Sequence, residues 1–479
     1  MTALALILIL IVPVGGIVLL AIIPRYRIGA WLNVALSATA FAGSCVLFIA
    51  PMQAGKFFLV DSFNIYLVAL NTFVGLTTSI FSASYIAHEL EQENLTRGYL
   101  RFYHALYQAM MTAMSLALLS NNLGLMWVGI EVATLSTVVM VGIYRTPQAI
   151  EAAWEYFILG SVGIALAFFG TILLYLTAQQ VLGEGVPALT WSLLVSNSGS
   201  FDPALLSLAF VFLLAGYGTK VGLAPLHAWL PDAHAEGPTP ISAVLSGLLL
   251  NVALYAVLRI KMIMAGNADA IPPGPIMMLM GLTSLIFAAI MLYRRRDIKR
   301  LFAYSSIEHM GIITFAFGMG GPLANFAGLL HMTMHSLTKS GIFFAVGHIA
   351  QAKGTQRMAG ITGLAKSHPV LAWALGIGTI AIAGVPPFGV FTSEFLVITT
   401  TFARQPFLAL VLALGILIAF GALLMHLQNM LFGEPQGAPH KVSASAVPMF
   451  VHLALVLLAG LWLPQILVDW FQQVARLLG

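Results

Sequence analysis

The sequence predicts an all-α polytopic membrane protein of about fourteen transmembrane helices, with two inverted five-helix repeats and discontinuous helices 7 and 12. Three observations carry that expectation. Of 479 residues, 60% are hydrophobic and only 8% charged, with a mean hydropathy of +0.95, which excludes an ordinary soluble globule. Apolar runs repeatedly reach the roughly 20 residues needed to cross a bilayer. Basic residues divide 14 against 5 between alternate loops, which puts both termini on the outer side. The net charge of +4 follows from that loop bias and points to no nucleic-acid partner. Cys45 is the single cysteine, which excludes an intrachain disulfide and a cysteine-held cluster.

The runs near 2–23 and 31–51 have uncharged interiors and are joined by the basic turn Pro24-Arg25-Tyr26-Arg27. The first is too long for a signal-peptide core and has no basic residue before it, so it is expected to remain as an anchor. Asp61 and Asn64 open the run 63–87 as a helix start. Residues 1–100 are thus expected to form a peripheral N-terminal group of helices. Runs near 105–120, 122–144, 154–178, 204–230 and 239–260 make a first five-helix translocation unit over 101–262. Glu131 lies about ten residues into its run, near mid-membrane at about 1.5 Å per residue. A carboxylate there must find a partner or hold a proton, and the latter is what a proton-transfer group needs. A structural glutamate bonded to a neighbouring helix is the alternative.

The stretch Ala215 to Asn251, AGYGTKVGLAPLHAWLPDAHAEGPTPISAVLSGLLLN, is the most unusual. It sets Lys220 where hydrocarbon is expected, at a cost of several kcal/mol unless a partner, a bend or water accommodates the charge. Gly218, Gly222 and Pro225 allow the helix to break there. An amine snorkelling to the interface is the competing reading, and it leaves the further apolar turn VGLAPL unexplained. Pro231, Asp232, His234, Glu236, Pro238 and Pro240 are expected to form a compact polar turn. Asn251 is the central polar residue of the next helix, able to hold water but unable to carry a proton as net charge. Arg259 and Lys261 are placed at that helix's outer end.

A second, inverted five-helix unit is expected over 263–433, from runs near 274–293, 301–319, 325–350, 369–402 and 407–432. Glu308 and His309 are adjacent and point about 100° apart. His331, His335 and Lys339 follow at i, i+4 and i+8 along one helix side. Two histidines at that spacing could ligate a metal. Membrane depth, the lysine at the next step and the lack of a local HExxH carboxylate favour a hydrated row of titratable groups, so neither metal nor cofactor is expected. Gly384, Pro386, Pro387 and Gly389 break the twelfth run, and Glu394 follows within its second half. Glu131 and Lys220 stand 89 residues apart, Glu308 and Glu394 86 apart, which suggests the repeat. Residues 434–479 should supply one last helix, near 446–470.

The segments GYGTKVGLAPLHAWLPDAHAEGPTPISAVLSG, DIKRLFAYSSIEHMG, MTMHSLTKSGIFFAVGHI and GVPPFGVFTSEF make the chain resemble the antiporter-like membrane subunits of complex I, membrane-bound hydrogenases and Mrp cation/proton antiporters. The EHMG form and the His-Lys row look most like the component F type of hydrogenase-4 and formate hydrogenlyase complexes. The resemblance implies a non-redox subunit, without a catalytic centre of its own, that couples electron transfer in partner subunits to proton movement. The implied path comprises Glu131, Lys220, His227, His234, Asn251, Glu308, His309, His331, His335, Lys339 and Glu394. Some relatives carry lysine where Asn251 stands, so the His-Lys row is the candidate relay here. Implied partners are other membrane subunits and a soluble redox arm on the inner side of a bacterial-type cytoplasmic membrane. A subunit of an Mrp-type Na+/H+ antiporter or of an inorganic-carbon uptake complex is the alternative.

Overall fold

A computed structural model describes residues 1–436 and 445–479, the side chains of 97–101 excepted. Lys441 and the side chains of Arg97 and Arg101, counted above among the inner-side basic residues, lie outside what is described. The chain is helical almost throughout. Its helices are α1 Thr2–Ile22, α2 Tyr26–Leu47, α3 Ser62–Glu91, α4 Arg97–Leu119, α5 Leu123–Val141, α6 Pro147–Leu182, α7 Pro203–Val221, α8 Trp229–Glu236 and α9 Thr239–Met264. They continue as α10 Pro273–Leu292, α11 Ile298–Met319, α12 Pro322–Lys353, α13 Pro369–Ile382, α14 Gly389–Arg404, α15 Pro406–Leu431, α16 Val447–Leu461 and α17 Gln465–Leu477. A two-strand hairpin pairs Gln53 with Val60 and Ala54 with Leu59 before α3.

Local sequence explains where these helices start and stop. Asp61 and Asn64 form a reciprocal capping box on α3, each side chain taking the other's backbone N–H at 2.9 Å. Asn122, Thr146 and Asp202 cap α5, α6 and α7, and Pro147 and Pro203 occupy first positions where a missing N–H costs nothing. Gly222 ends α7 in the left-handed conformation at φ 79°, which a side-chained residue adopts only with strain.

The count of fourteen spans is corrected by the structure. Among the described residues nine helices are long and apolar enough to cross a membrane, or ten if the terminal pair is one span. No count of two five-helix repeats emerges from that set. The physical reason is that an apolar run in sequence is not a continuous apolar helix. The run 369–402 divides into α13 and α14, and the run 446–470 into α16 and α17, which meet at a bend of 83°. Helices α11 and α12 are long, but polar residues dilute their apolar character.

The expected polar turn over 231–240 is also corrected, because residues 229–236 form helix α8 with His234 fully buried. Pro231 sits in its first turn, where proline is tolerated. Arg259 and Lys261 stand toward the end of α9, as expected, but they are not exposed there: both are buried, as is Lys299 at the start of α11.

The core runs through α9, α11 and α12. Every residue of α9's central window is buried, so this helix is apolar on all sides because it touches protein on all sides. Helix α12 packs against α9, α11, α13, α14, α16 and α17, and so gathers most of the second half around itself. Three sites fix the ends of this core. Arg259 forms an ion pair with Asp61 at 2.8 Å and lies over the rings of Trp191 and Tyr255 at 4.3 and 4.8 Å. Lys299 donates to the carbonyls of Ala235 and Gly237, which supplies partners for the C-terminal end of α8. Arg300 pairs with Asp232 at 2.6 Å and with Glu236 at 3.5 Å. Burial pushes the Glu236 carboxyl above its ordinary range, and Arg300 opposes it.

Candidate functional site

Two clusters of titratable groups occupy this core. The first joins α5 to α7. Lys220 is completely buried, its Nζ 3.8 Å from Glu131 Oε2 and donating to Thr134 Oγ1 at 3.0 Å. Gly160 of α6 lies against the amine, and a Cβ there would meet Nζ at 2.9 Å. The ring of Tyr156 faces the same amine at 5.9 Å and stacks on Trp229 at 4.2 Å. At about 4 Å and an effective dielectric of about 20, two unit charges attract by about 4 kcal/mol. Burying Lys220 costs several kcal/mol, and partly exposed Glu131 costs less, so the attraction and the cost are of similar size and a small movement changes which form is favoured. Helix α7 ends one residue after Lys220, so the amine sits beside a break and not in mid-helix.

The second cluster joins α11, α12 and α14. His309 Nδ1 lies 2.9 Å from His331 Nε2 and 3.8 Å from Glu394 Oε1, while His309 Nε2 lies 3.9 Å from Glu308 Oε2. The ring of His335 is 5.6 Å from that of His309, centroid to centroid. All five residues are buried. Although Glu308 and His309 are adjacent and diverge around the helix, the structure brings their side chains to within reach of one another.

The hydroxyl of Ser393 sets the direction of this network. It donates its one proton to the Val390 carbonyl at 2.8 Å, so it accepts from His331 Nδ1 at 2.8 Å. Neutral His331 then presents a bare Nε2, and His309 Nδ1–H donates to it. That leaves His309 Nε2 bare and facing Glu308. A proton taken from Glu308 at Nε2 is matched by one given up from Nδ1 toward His331 or Glu394, so the imidazole passes charge without rotating.

The remaining expected path residues are distributed less evenly. Lys339 Nζ donates to the Phe302 carbonyl at 2.9 Å, one helix turn or more from the imidazole pair along α12. Asn251 donates to Ser336 Oγ at 2.6 Å and to the Gly247 carbonyl at 3.2 Å, beside a π-helical turn over Leu245–Leu249. Its Oδ1 is buried and makes no hydrogen bond. His234 stacks on Phe343 at 5.0 Å, and His227 meets Phe287 edge-on at 4.6 Å. Neither imidazole hydrogen-bonds to the other expected path residues. Thr134, Ser336 and Ser393 were not anticipated, because a lone hydroxyl in an apolar run leaves no hydropathy signal. Their only mark is position: Thr134 stands three residues after Glu131, Ser336 directly after His335, and Ser393 directly before Glu394.

Comparison with known proteins places this architecture. Residues 120–420 match the family described as NADH:quinone oxidoreductase/Mrp antiporter, transmembrane. A hydrogenase-4 component F homolog of Methylacidiphilum infernorum (isolate V4) is 58% identical over 470 residues, 98% of this chain and 99% of that protein. Among solved structures, a chain of the membrane-bound sulfane sulfur reductase, an archaeal respiratory membrane complex, superimposes with a TM-score of 0.88 at 19% identity, covering 100% of this chain and 98% of its own. A chain of the Mrp complex from Dietzia sp. DQ12-45-1b does so with a TM-score of 0.86 at 20% identity, covering 100% and 97%. At such identities the two structures speak for the fold alone. Sequence match, near-complete alignment to a relative and common fold agree: the chain belongs to the NADH:quinone oxidoreductase/Mrp antiporter transmembrane family.

Proposed function

We propose that this chain is the proton-translocating membrane subunit of a hydrogenase-like or quinone-reducing respiratory assembly. The observation that carries the proposal is the pair of clusters, partly exposed Glu131 with buried Lys220, and buried Glu308, His309 and His331 with Glu394, in a protein interior where charge is expensive without a use. Separating Lys220 from Glu131 lowers the amine's hold on its proton, and restoring the pair raises it. The second cluster receives and releases protons through the ring nitrogens of His309. His227, His234, Asn251, His335 and Lys339 belong to the connecting region, where water held by Asn251 Oδ1 and the neighbouring hydroxyls bridges the gaps. One unit over 101–262 carries the first cluster and another over 263–433 the second.

The name of the relative at 58% identity, a hydrogenase-4 component, supports membership in a multi-subunit assembly. Electron transfer then belongs to partners, in a soluble arm on the inner side of a cytoplasmic membrane with both termini of this chain outside. What supports that orientation is the excess of basic residues between the apolar runs on one side, and it requires an even number of spans, as when α16 and α17 form one bent tenth span.

The test is proton movement per electron transferred, measured in sealed vesicles holding the assembled complex. Glu394→Gln is expected to lower the ratio or to slow both processes together. An unchanged ratio at an unchanged rate refutes the reading, and sodium uptake in place of proton uptake reassigns the ion.

A further inference from the structure

We infer that His309, His331 and Glu394 form a binding site for Zn2+, or an equivalent borderline divalent ion, whose occupation blocks the second cluster. The inference rests on the proposed proton path for its consequence, and on geometry alone for the binding. One ligand atom from each of the three residues lies within 4.8 Å of the others, and the closest pairs are 2.9 and 3.8 Å apart. Ligands about 2.0–2.2 Å from a tetrahedral ion stand a little over 3 Å from one another, so small side-chain shifts seat it. Two imidazoles and a carboxylate are a recurrent zinc set that leaves a fourth position for water.

The surroundings are those of a ligand set and not of three groups that happen to meet. His331 Nδ1 is held by Ser393, which fixes the ring and turns Nε2 toward the site. His309 Nε2 faces Glu308 at 3.9 Å, so when an ion takes Nδ1 the ring proton moves to Nε2 and meets a carboxylate. Each imidazole thus has an oxygen behind its far nitrogen, the arrangement that orients metal-bound histidines. The break between α13 and α14 lies against the Glu394 end of the set. Gly384 there is half-buried at φ 69°, and a Cβ at this position would collide with the Glu394 carboxylate. The i, i+4 pair His331 and His335, the sequence's own metal candidate, is not the set: its third partner comes from α14, and His309 replaces His335.

An ion seated here occupies the nitrogens through which His309 and His331 exchange a proton. Binding therefore stops the relay: the His309 proton only moves from Nδ1 to Nε2, and a proton leaves the site where Glu394 was carrying one. The full-length chain purified in detergent, titrated with Zn2+ and separately with Co2+, tests binding without reference to transport. One ion per chain is expected, with a Co2+ absorption spectrum of four-coordinate nitrogen and oxygen ligation. His331→Gln and Glu394→Gln should each lose it. Ser393→Ala removes only the group behind His331 and should weaken binding about 10- to 100-fold. No tight site in the wild-type chain, or a site unaltered by these three substitutions, overturns the inference. If the variants do not fold, X-ray absorption on the zinc-loaded wild-type chain decides, because a ligand set without two imidazoles refutes the site. In vesicles holding the complex, zinc should inhibit proton movement and a chelator should restore it. Zinc bound at the site with proton movement intact would leave the metal site standing and remove the proton path.

Discussion

The two clusters differ in burial and in how they hold charge: Glu131 is partly exposed beside buried Lys220, whereas Glu308, His309, His331 and Glu394 are all buried. Around Lys220 the solution is an ion pair: one amine, one carboxylate 3.8 Å away and a single neutral acceptor, Thr134. Around His309 it is a hydrogen-bonded run from His309 through His331 to Ser393, flanked by Glu308 and Glu394 at 3.9 and 3.8 Å, in which every member has an uncharged form. The first stores charge and responds to movement, since an ion pair weakens steeply when its partners separate in a low dielectric. The second, on the proposed reading, carries protons without storing charge, since neutral imidazoles need no counter-ion. The helix breaks fall beside both, after Lys220 in α7 and before Glu394 in α14, where a backbone hinge can alter the distances that matter.

Substitutions can break or sharpen that contrast. Lys220→Ala is expected to have the largest effect, lowering proton movement per unit of complex at least tenfold, or about 1.4 kcal/mol on the barrier. Arg404, which donates to the Gly320 carbonyl at the protein surface, provides the control, and Arg404→Ala should leave transport near wild type. Equal transport in the two variants at matched assembly removes the special role of the pair.

His309→Gln comes next. Glutamine keeps a donor and an acceptor but cannot take a proton at one end and release one at the other, so transport should fall several-fold while thermal stability stays near wild type. A loss matched by His309→Leu alone, with glutamine fully active, would make the site a holder of water and not a relay.

Lys339→Met and Asn251→Leu probe the region between the clusters. Methionine retains length and packing and loses the charge facing Glu308, so transport should fall more than with His331→Gln. Asn251→Leu dries the space beside Ser336 and should weaken transport, whereas Asn251→Lys should retain it. Unchanged proton-to-electron stoichiometry in Lys339→Met moves the path off this part of α12.

Asp61→Ala should affect transport least and stability most. It removes the capping box of α3 and strips buried Arg259 of its anion, a loss of about 3–5 kcal/mol. Thermal unfolding should show a clear drop, with transport per intact complex preserved. A transport defect without a stability defect would place this outer pair on the path.

Much of the site was legible because burying charge has so few explanations. Glu131, Lys220, Glu308 and Glu394 stand out in apolar runs, and Gly222 and Pro386-Pro387 mark the breaks by backbone chemistry that acts locally. What remained hidden was nonlocal. Arg259 does stand near a helix end, but its burial was hidden because nothing near it in sequence announces Asp61, 198 residues away. The span count failed for a related reason: hydropathy averaged over a run does not register where the helix within it divides, as between α13 and α14, or bends, as between α16 and α17.

By itself, then, the sequence determined that this is a helical membrane protein, that its helices break after Lys220 and before Glu394, and that Lys220, Glu308 and Glu394 stand in apolar runs, because composition, glycines and prolines act within a few residues. The tertiary structure alone decided which charges meet. That Glu131 faces Lys220, that His309 reaches Glu308, His331 and Glu394 together, and that His227 and His234 pack against rings follows from the rotation and crossing of helices far apart in sequence. Those settings are fixed by side-chain packing across helices, a condition that no single stretch of the chain contains.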